Sequence, residues 1–149
     1  MSAVLPPPVD YAVAARRHHK DGKALLSQGR GANAGQLFGL AMECGLKALL
    51  IASGVAPDAD GSVPNSKAFR QHMPLLSDRI SLHGNLIPDG RLANRYLTML
   101  PGRGAFQSWS VDQRYWRDTA LPAADLPAWA AAAAELGNML DQATQDGVL

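Results

Sequence analysis

Apart from its aspartates, few side chains in this chain can act as acids, bases or metal ligands. It contains four histidines, one cysteine (Cys44) and two glutamates (Glu43 and Glu135). A di-iron centre in a helical bundle needs several inward-facing carboxylates, including Glu-x-x-His pairs. Leu46 and Asn138 stand three residues after the two glutamates. The sequence therefore excludes this class of metal enzyme.

The histidines form no local metal-binding pattern. His18 and His19 are adjacent, so on a helix their side chains point about 100° apart. His72 and His83 are eleven residues apart, too far along one helix to share an ion. A site that joins His18 to one of them through the tertiary fold stays open. We expect no metal ion and no cofactor, and we interpret His18 as a half-buried helix residue hydrogen-bonded to a neighbour.

Two other groups of residues are weak candidates for chemistry. Gly-Arg-Gly occurs at 29–31 and at 102–104, but neither copy follows a strand or matches a phosphate-loop pattern. The first copy precedes a helix and can offer backbone donors to an anion, although a plain turn between helices explains it better. Cys44 lies on an apolar helix stripe, which favours a small core residue over a nucleophile.

Two polar features remain after this screening. Glu43 stands in an otherwise apolar helix with Lys47 one turn later, a spacing that also suits a simple surface ion pair. Arg114 and Tyr115 stand between two tryptophans, and arginine beside aromatic residues can stack on bases and bind phosphate. An arginine there also suits neutralisation of a buried carboxylate. We expect a Glu43–Arg114 pair that joins the second helix to the late segment, with His18 or Tyr115 beside it.

The hydrophobic spacing predicts the helices that must position these residues. No segment alternates with period two, so we expect an all-α, up-and-down bundle of four to five helices. The whole chain, 1–149, is predicted to form one domain, with residues 1–8 as a flexible N-terminal segment. The predicted helices cover about 9–28, 34–53 with Asn33 as its cap, 69–83 with Pro74 in its first turns, 88–100 and 123–146, and 101–112 is a connection.

The second helix is the most informative element. Leu37, Ala41 and Cys44 begin one apolar stripe, and Phe38 and Met42 begin a neighbouring one. A helix that is apolar over most of its circumference belongs in the middle of a bundle. The glycines and alanines along it predict close approach by neighbouring helices.

Net charge and hydropathy limit the cellular compartment and the classes of partner that we expect. The formal net charge of +1 gives no overall attraction to nucleic acid or to an anionic membrane. The N-terminal residues resemble no signal peptide, and Lys47 interrupts the apolar run 44–52. We expect a cytoplasmic protein without membrane contact.

Several of these segments resemble HEPN-domain proteins. Residues 17–26 and 41–50 are similar to the paired first helices of that family, whose second helix typically reads Ala-x-Glu-x-x-Leu-Lys-Ala-Leu-Leu. Residues 72–76 resemble its His-x-Leu-x-x-Leu element, and 114–118 resemble its late Arg-Tyr signature. The pieces follow the family's order over about residues 11–118.

The resemblance implies a four-to-five-helix bundle that is often a homodimer. Members include RNA-cleaving toxins and partners of minimal nucleotidyltransferases. The ribonucleases use an Arg-x(4–6)-His motif, duplicated across the dimer, without a metal. Here the positions after Arg114 that should hold histidine are Thr119, Ala120 and Leu121. Arg79 and His83, one helical turn apart, form a variant of the motif.

We therefore expect a non-catalytic HEPN-like module that dimerises and binds a partner protein, such as a minimal nucleotidyltransferase, or a nucleotide. The residues expected to carry this role are His18, Glu43, Lys47, Arg114 and Tyr115. The alternative is a metal-independent ribonuclease, of a toxin or defence type, that uses Arg114, or Arg79 with His83, on RNA. A structural bundle without a ligand is the third interpretation.

Overall fold

The computed structural model describes residues 3–64 and 68–149. Every regular element in those two ranges is helical and no strand occurs in them, which confirms the all-α class. Short 3₁₀ turns fill much of the chain between the third and last helices. The five α-helices are α1 (Tyr11–Ser27), α2 (Gly31–Ala52), α3 (Leu75–Leu82), α4 (Gly90–Leu97) and α5 (Leu126–Gln145).

Helices α1 and α2 form a tight antiparallel pair. The Asp10 side chain caps α1 by accepting a hydrogen bond from the backbone N–H of Val13 at 3.1 Å. Gly29, with a φ of 74°, then turns the chain in a left-handed conformation that favours glycine. Helix α2 begins at Gly31 rather than at 34, because the carbonyl of Arg30 already accepts the first helical hydrogen bond. Asn33 is therefore inside the first turn and is not the cap.

Helix α2 lies at the centre of the structure, as its composition predicts. Helices α1 and α5 both pack against it, and so does the 3₁₀ turn Val111–Tyr115. By length and composition α2 is able to span a membrane, but 72% of its most apolar window is buried inside the protein. That burial is what the core helix of a soluble protein shows.

The glycines of α2 allow large side chains to approach its backbone. Gly35 lies under the ring of Trp129, and Gly39 lies under the indole of Trp109. The Trp109 indole N–H also donates a hydrogen bond to the Gly35 carbonyl at 3.0 Å. Gly45 faces Leu136 of α5 in the same way. Close packing at small residues, expected from the sequence, is confirmed.

The predicted boundaries of the later helices need correction. Helix α3 starts at Leu75, not at 69, because the residue before a proline avoids the helical region, so the helix begins only after Met73, with Pro74 as its N-cap residue. Helix α4 covers Gly90–Leu97, begins after an Asp89 side-chain cap and is shorter than 88–100. Helix α5 begins at Leu126, and a separate 3₁₀ turn occupies 123–125. The predicted connection 101–112 contains a 3₁₀ helix at Pro101–Phe106.

Helix α5 closes the bundle through an apolar stripe and through polar contacts near its C-terminus. Its inward stripe of Trp129, Leu136 and Leu140 is buried. Near its C-terminus, Asp141 forms an ion pair with Arg16 of α1 at 2.7 Å. Just beyond it, Asp146 accepts hydrogen bonds from the Tyr96 hydroxyl, the Arg95 guanidinium and the Gln142 amide.

Candidate functional site

Glu43 is the centre of a polar cluster, the Glu43 cluster, which it forms with the buried Lys47 and with His72, whose side chain is 62% exposed. Its Oε2 accepts a hydrogen bond from Lys47 Nζ at 3.1 Å, and both side chains are less than a tenth exposed. Its Oε1 lies 3.0 Å from His72 Nδ1 and accepts a second hydrogen bond from the backbone N–H of Met73 at 3.3 Å. Both carboxylate oxygens are therefore satisfied, and they fasten the segment before α3 to α2.

Arg114 does not belong to this cluster, so the predicted Glu43–Arg114 pair is wrong. Arg114 is exposed on the turn Val111–Tyr115, and its guanidinium stacks 4.9 Å from the centre of the Tyr115 ring. The Tyr115 side chain is 77% exposed. Lys47 takes the expected place of Arg114, because one helical turn already brings its ammonium group to the carboxylate.

Lys47 also contacts the first helix. Its Nζ lies 5.8 Å from the centre of the Tyr11 ring, within the range of a cation–π interaction. The Tyr11 hydroxyl accepts a hydrogen bond from the backbone N–H of Val63 at 3.0 Å. The Glu43 cluster therefore has structural partners on α1, α2 and the segment before α3.

His18 and Cys44 experience the charge of Glu43. Burial, and to a smaller extent the negative charge of Glu43, raise the pKa of the Cys44 thiol to about 11, although Lys47 and Arg17 act to lower it. Burial and the neighbouring Arg17 lower the pKa of His18, and they outweigh Asp21 and Glu43, which act in the opposite direction. Cys44 is thus a protonated thiol at neutral pH, which agrees with its interpretation as a packing residue.

His19 lies elsewhere, between α1 and α5. Its ring packs against Gly137, and its Nε2 is buried without a hydrogen-bond partner. Burial and the nearby Lys23 lower its pKa, whereas Asp141 acts to raise it. His18 and His19 therefore lie in different surroundings. The described residues contain no group of three or more potential metal ligands.

A cleft of about 530 Å³ lies where the turn between α1 and α2 faces the start of α5. Its size is within the range of small-molecule sites. The backbone of 29–33 forms one wall, and Leu126 and Trp129 form another. Arg30 and Asp118 bring opposite charges to the lining, so the cleft favours neither sign of ligand.

Arg79 lies in the last turn of α3, and His83 is the C-cap residue that follows the helix. Both line a groove of about 620 Å³ between the end of α3 and the chain after α2. The other walls are largely apolar and include Val55, Phe69 and Pro88. The structure thus places this pair in a groove and leaves Arg114 on a separate surface.

His72 is the member of the cluster that sequence reasoning missed. It stands 29 residues after Glu43, so no local spacing connects the two. The packing of Trp109 on α2 was missed as well, although Gly35 and Gly39, four residues apart, indicated one open helix face.

No protein-family model matches the chain, and searches of curated proteins and of solved structures also give no match. The HEPN resemblance therefore depends on the sequence motifs alone.

Proposed function

We propose that the protein is a non-catalytic helical module of the HEPN type that dimerises and acts by binding a partner protein. The observation that carries this proposal is the saturation of the Glu43 cluster. Glu43 has hydrogen-bond partners on both oxygens, and Lys47 is bonded to it in the interior. The most distinctive polar residues of the chain thus have a structural role.

Acid–base catalysis needs a proton donor or acceptor within hydrogen-bond distance of the substrate. Glu43 and Lys47 are almost fully buried, and the buried thiol of Cys44 is protonated at neutral pH. Arg114 has no histidine at the positions where the family's ribonuclease motif requires one. These features favour binding over catalysis.

The exposed aromatic residues support a binding role. Trp116 is 46% exposed and follows Tyr115, on which Arg114 stacks. Tryptophan, tyrosine and arginine are enriched at the residues that dominate protein interfaces. The partner class that the resemblance implies is a minimal nucleotidyltransferase, and a nucleotide is the second ligand class.

The proposal is tested by incubating the purified protein with mixed RNA in EDTA, beside Arg114→Ala and His83→Ala variants. We expect intact RNA in all three reactions and a dimeric mass by light scattering. Cleavage that disappears in either variant would overturn the proposal.

Thermal-shift measurements with AMP and ATP test whether the protein binds a nucleotide. A rise in melting temperature that a Trp129→Leu variant loses would place the nucleotide in the cleft beside α5.

The second candidate function is a metal-independent ribonuclease. One observation favours it, because Arg79 and His83 line the same groove. An Arg79→Ala variant added to the RNA experiment decides this candidate. Cleavage that is lost in both the Arg79 and the His83 variants would establish it.

A further inference from the structure

The end of α3 carries two strongly exposed leucines. Leu82 is 73% exposed, and Leu86, in the 3₁₀ turn that follows, is 53% exposed. Single exposed apolar residues are ordinary on protein surfaces. These two, which we name the leucine ridge, differ because a groove lies on each side of the segment that carries them.

The first groove is the one that contains Arg79 and His83. Leu86 lines it together with Val55 and Phe69. Arg79 and His83 supply all of the ionisable side chains among its described lining residues. No carboxylate in residues 3–64 and 68–149 lies within ion-pair distance of Arg79.

The second groove, of about 590 Å³, runs between α3 and α4. Ile80, Ile87 and Leu97 form its apolar wall, and the charged residues in its described lining are Arg91 and Arg103. The linings of both grooves therefore combine apolar side chains with basic ones, and the second groove also contains Ser81 and Asn94.

The acidic residues near this surface are engaged elsewhere. The Asp89 side chain caps α4, and the Asp78 carboxylate accepts a hydrogen bond from Gln107 at 3.5 Å. They do not line either groove. The described lining of the two grooves thus contains basic side chains and no carboxylate.

We propose that the leucine ridge and its two grooves dock an acidic amphipathic segment of a partner protein. The apolar face of the segment covers Leu82 and Leu86, and its carboxylates reach Arg79 on one side and Arg91 on the other. An apolar centre with a charged rim is the usual anatomy of a protein interface. This inference depends on the proposed binding function and names the surface and the chemistry of the partner.

Other occupants fit the surface less well. A bilayer presents a broad face, whereas apolar concave grooves suit the side chains of a peptide. Single-stranded nucleic acid binds by stacking on aromatic rings, and the exposed apolar groups here are leucines.

The test is fluorescence anisotropy with a labelled helical peptide that carries leucine on one face and glutamate on the other. The control peptide has lysine in place of every glutamate. We expect the glutamate peptide to bind at least ~10-fold more tightly than the lysine peptide at physiological salt. Arg79→Glu and Arg91→Glu should each weaken it ~10-fold, and Leu82→Ala should weaken it several-fold.

Two matched controls are Lys20→Glu and Leu26→Ala, both at exposed positions of α1. They should leave the peptide affinity unchanged, and the melting temperature of every variant should show that it is folded. Equal binding of the two peptides, or no binding of either, would overturn the proposal. Binding to anionic vesicles or to polyuridine that the same groove variants weaken would also overturn the proposal. So would a Leu82→Ala variant that turns a dimer into a monomer.

The two proposals fail in different ways. RNA cleavage that depends on Arg79 would refute the non-catalytic function. Intact RNA together with failure of the glutamate peptide would refute the docking surface alone.

Discussion

At the scale of single residues, the stability of the fold depends strongly on the buried ion pair of Glu43 and Lys47. Removal of charges from water costs several kcal/mol for each ion, and good hydrogen bonds must offset that cost. The pair meets this condition because His72 and Met73 bond the second carboxylate oxygen.

Glu43→Ala should destabilise the protein by about 3–5 kcal/mol, because it leaves the Lys47 ammonium buried without a counter-charge. Urea unfolding monitored by circular dichroism measures the effect. The double variant Glu43→Leu/Lys47→Met should recover most of the loss, since neither charge remains. The surface pair supplies a control: Asp141→Ala should cost less than about 1 kcal/mol. A Glu43→Ala variant as stable as the parent would contradict the role assigned to the cluster.

Stability should also depend on pH through the first helix. The pKa values of His18 and His19 are lowered in the folded protein, so the unfolded chain binds more protons just below pH 6.5. The free energy of unfolding should therefore fall as the pH drops through 6.5 toward the folded pKa values. A His19→Gln variant should flatten this dependence in urea titrations at a series of pH values. An equally steep slope in the variant would show that other groups cause it.

Cys44 should resist alkylation. A thiol whose pKa is about 11 holds very little thiolate near pH 8. We expect iodoacetamide to modify Cys44 rapidly in urea and slowly in the native protein, as counted by mass spectrometry. Rapid native modification would show an activated thiol instead.

At the scale of elements, the glycines of α2 determine how the bundle packs. A methyl group added at Gly39 overlaps the Trp109 indole, which is itself buried. Gly39→Ala should thus cost about 1–3 kcal/mol despite its better helix propensity. Gly104→Ala is the matched control, because no heavy atom lies within 4 Å of its added carbon. Equal melting temperatures for the two variants would mean that Trp109 moves without cost.

The helices with strong apolar periodicity were predictable from the sequence, and the short ones less so. Helix α2 is recognisable because its apolar surface extends around most of the helix, and α5 because its stripe repeats over five turns. The start of α3 was misplaced, since a helical pattern at 69–83 does not reveal the effect of Pro74 on the preceding residue. Likewise the partner of Glu43 depends on tertiary distance: His72 and Arg114 are both too remote in sequence for local spacing to connect them to Glu43, and only the fold selects His72.

At the scale of the whole molecule, α2 is the element on which the rest of the fold packs. Its conspicuous polar residues stabilise the interior, whereas the leucine ridge and the aromatic residues after Arg114 are exposed. Because α1, α5 and the turn at Val111–Tyr115 all pack on α2, its central amides should exchange with solvent only on global unfolding. Hydrogen exchange followed by mass spectrometry should place the slowest amides there, and slower exchange in α4 would contradict this order.

The contacts between glycines and large side chains should constrain how the sequence changes in evolution. In three places a glycine, which has no side chain, faces a bulky one: Gly39 faces Trp109, Gly45 faces Leu136 and Gly22 faces Phe38. A change at one member alone leaves either an overlap or a void, and both are costly in a packed core. Divergence at these positions should therefore be coupled. A relative with alanine at position 39 should carry a residue smaller than tryptophan at 109.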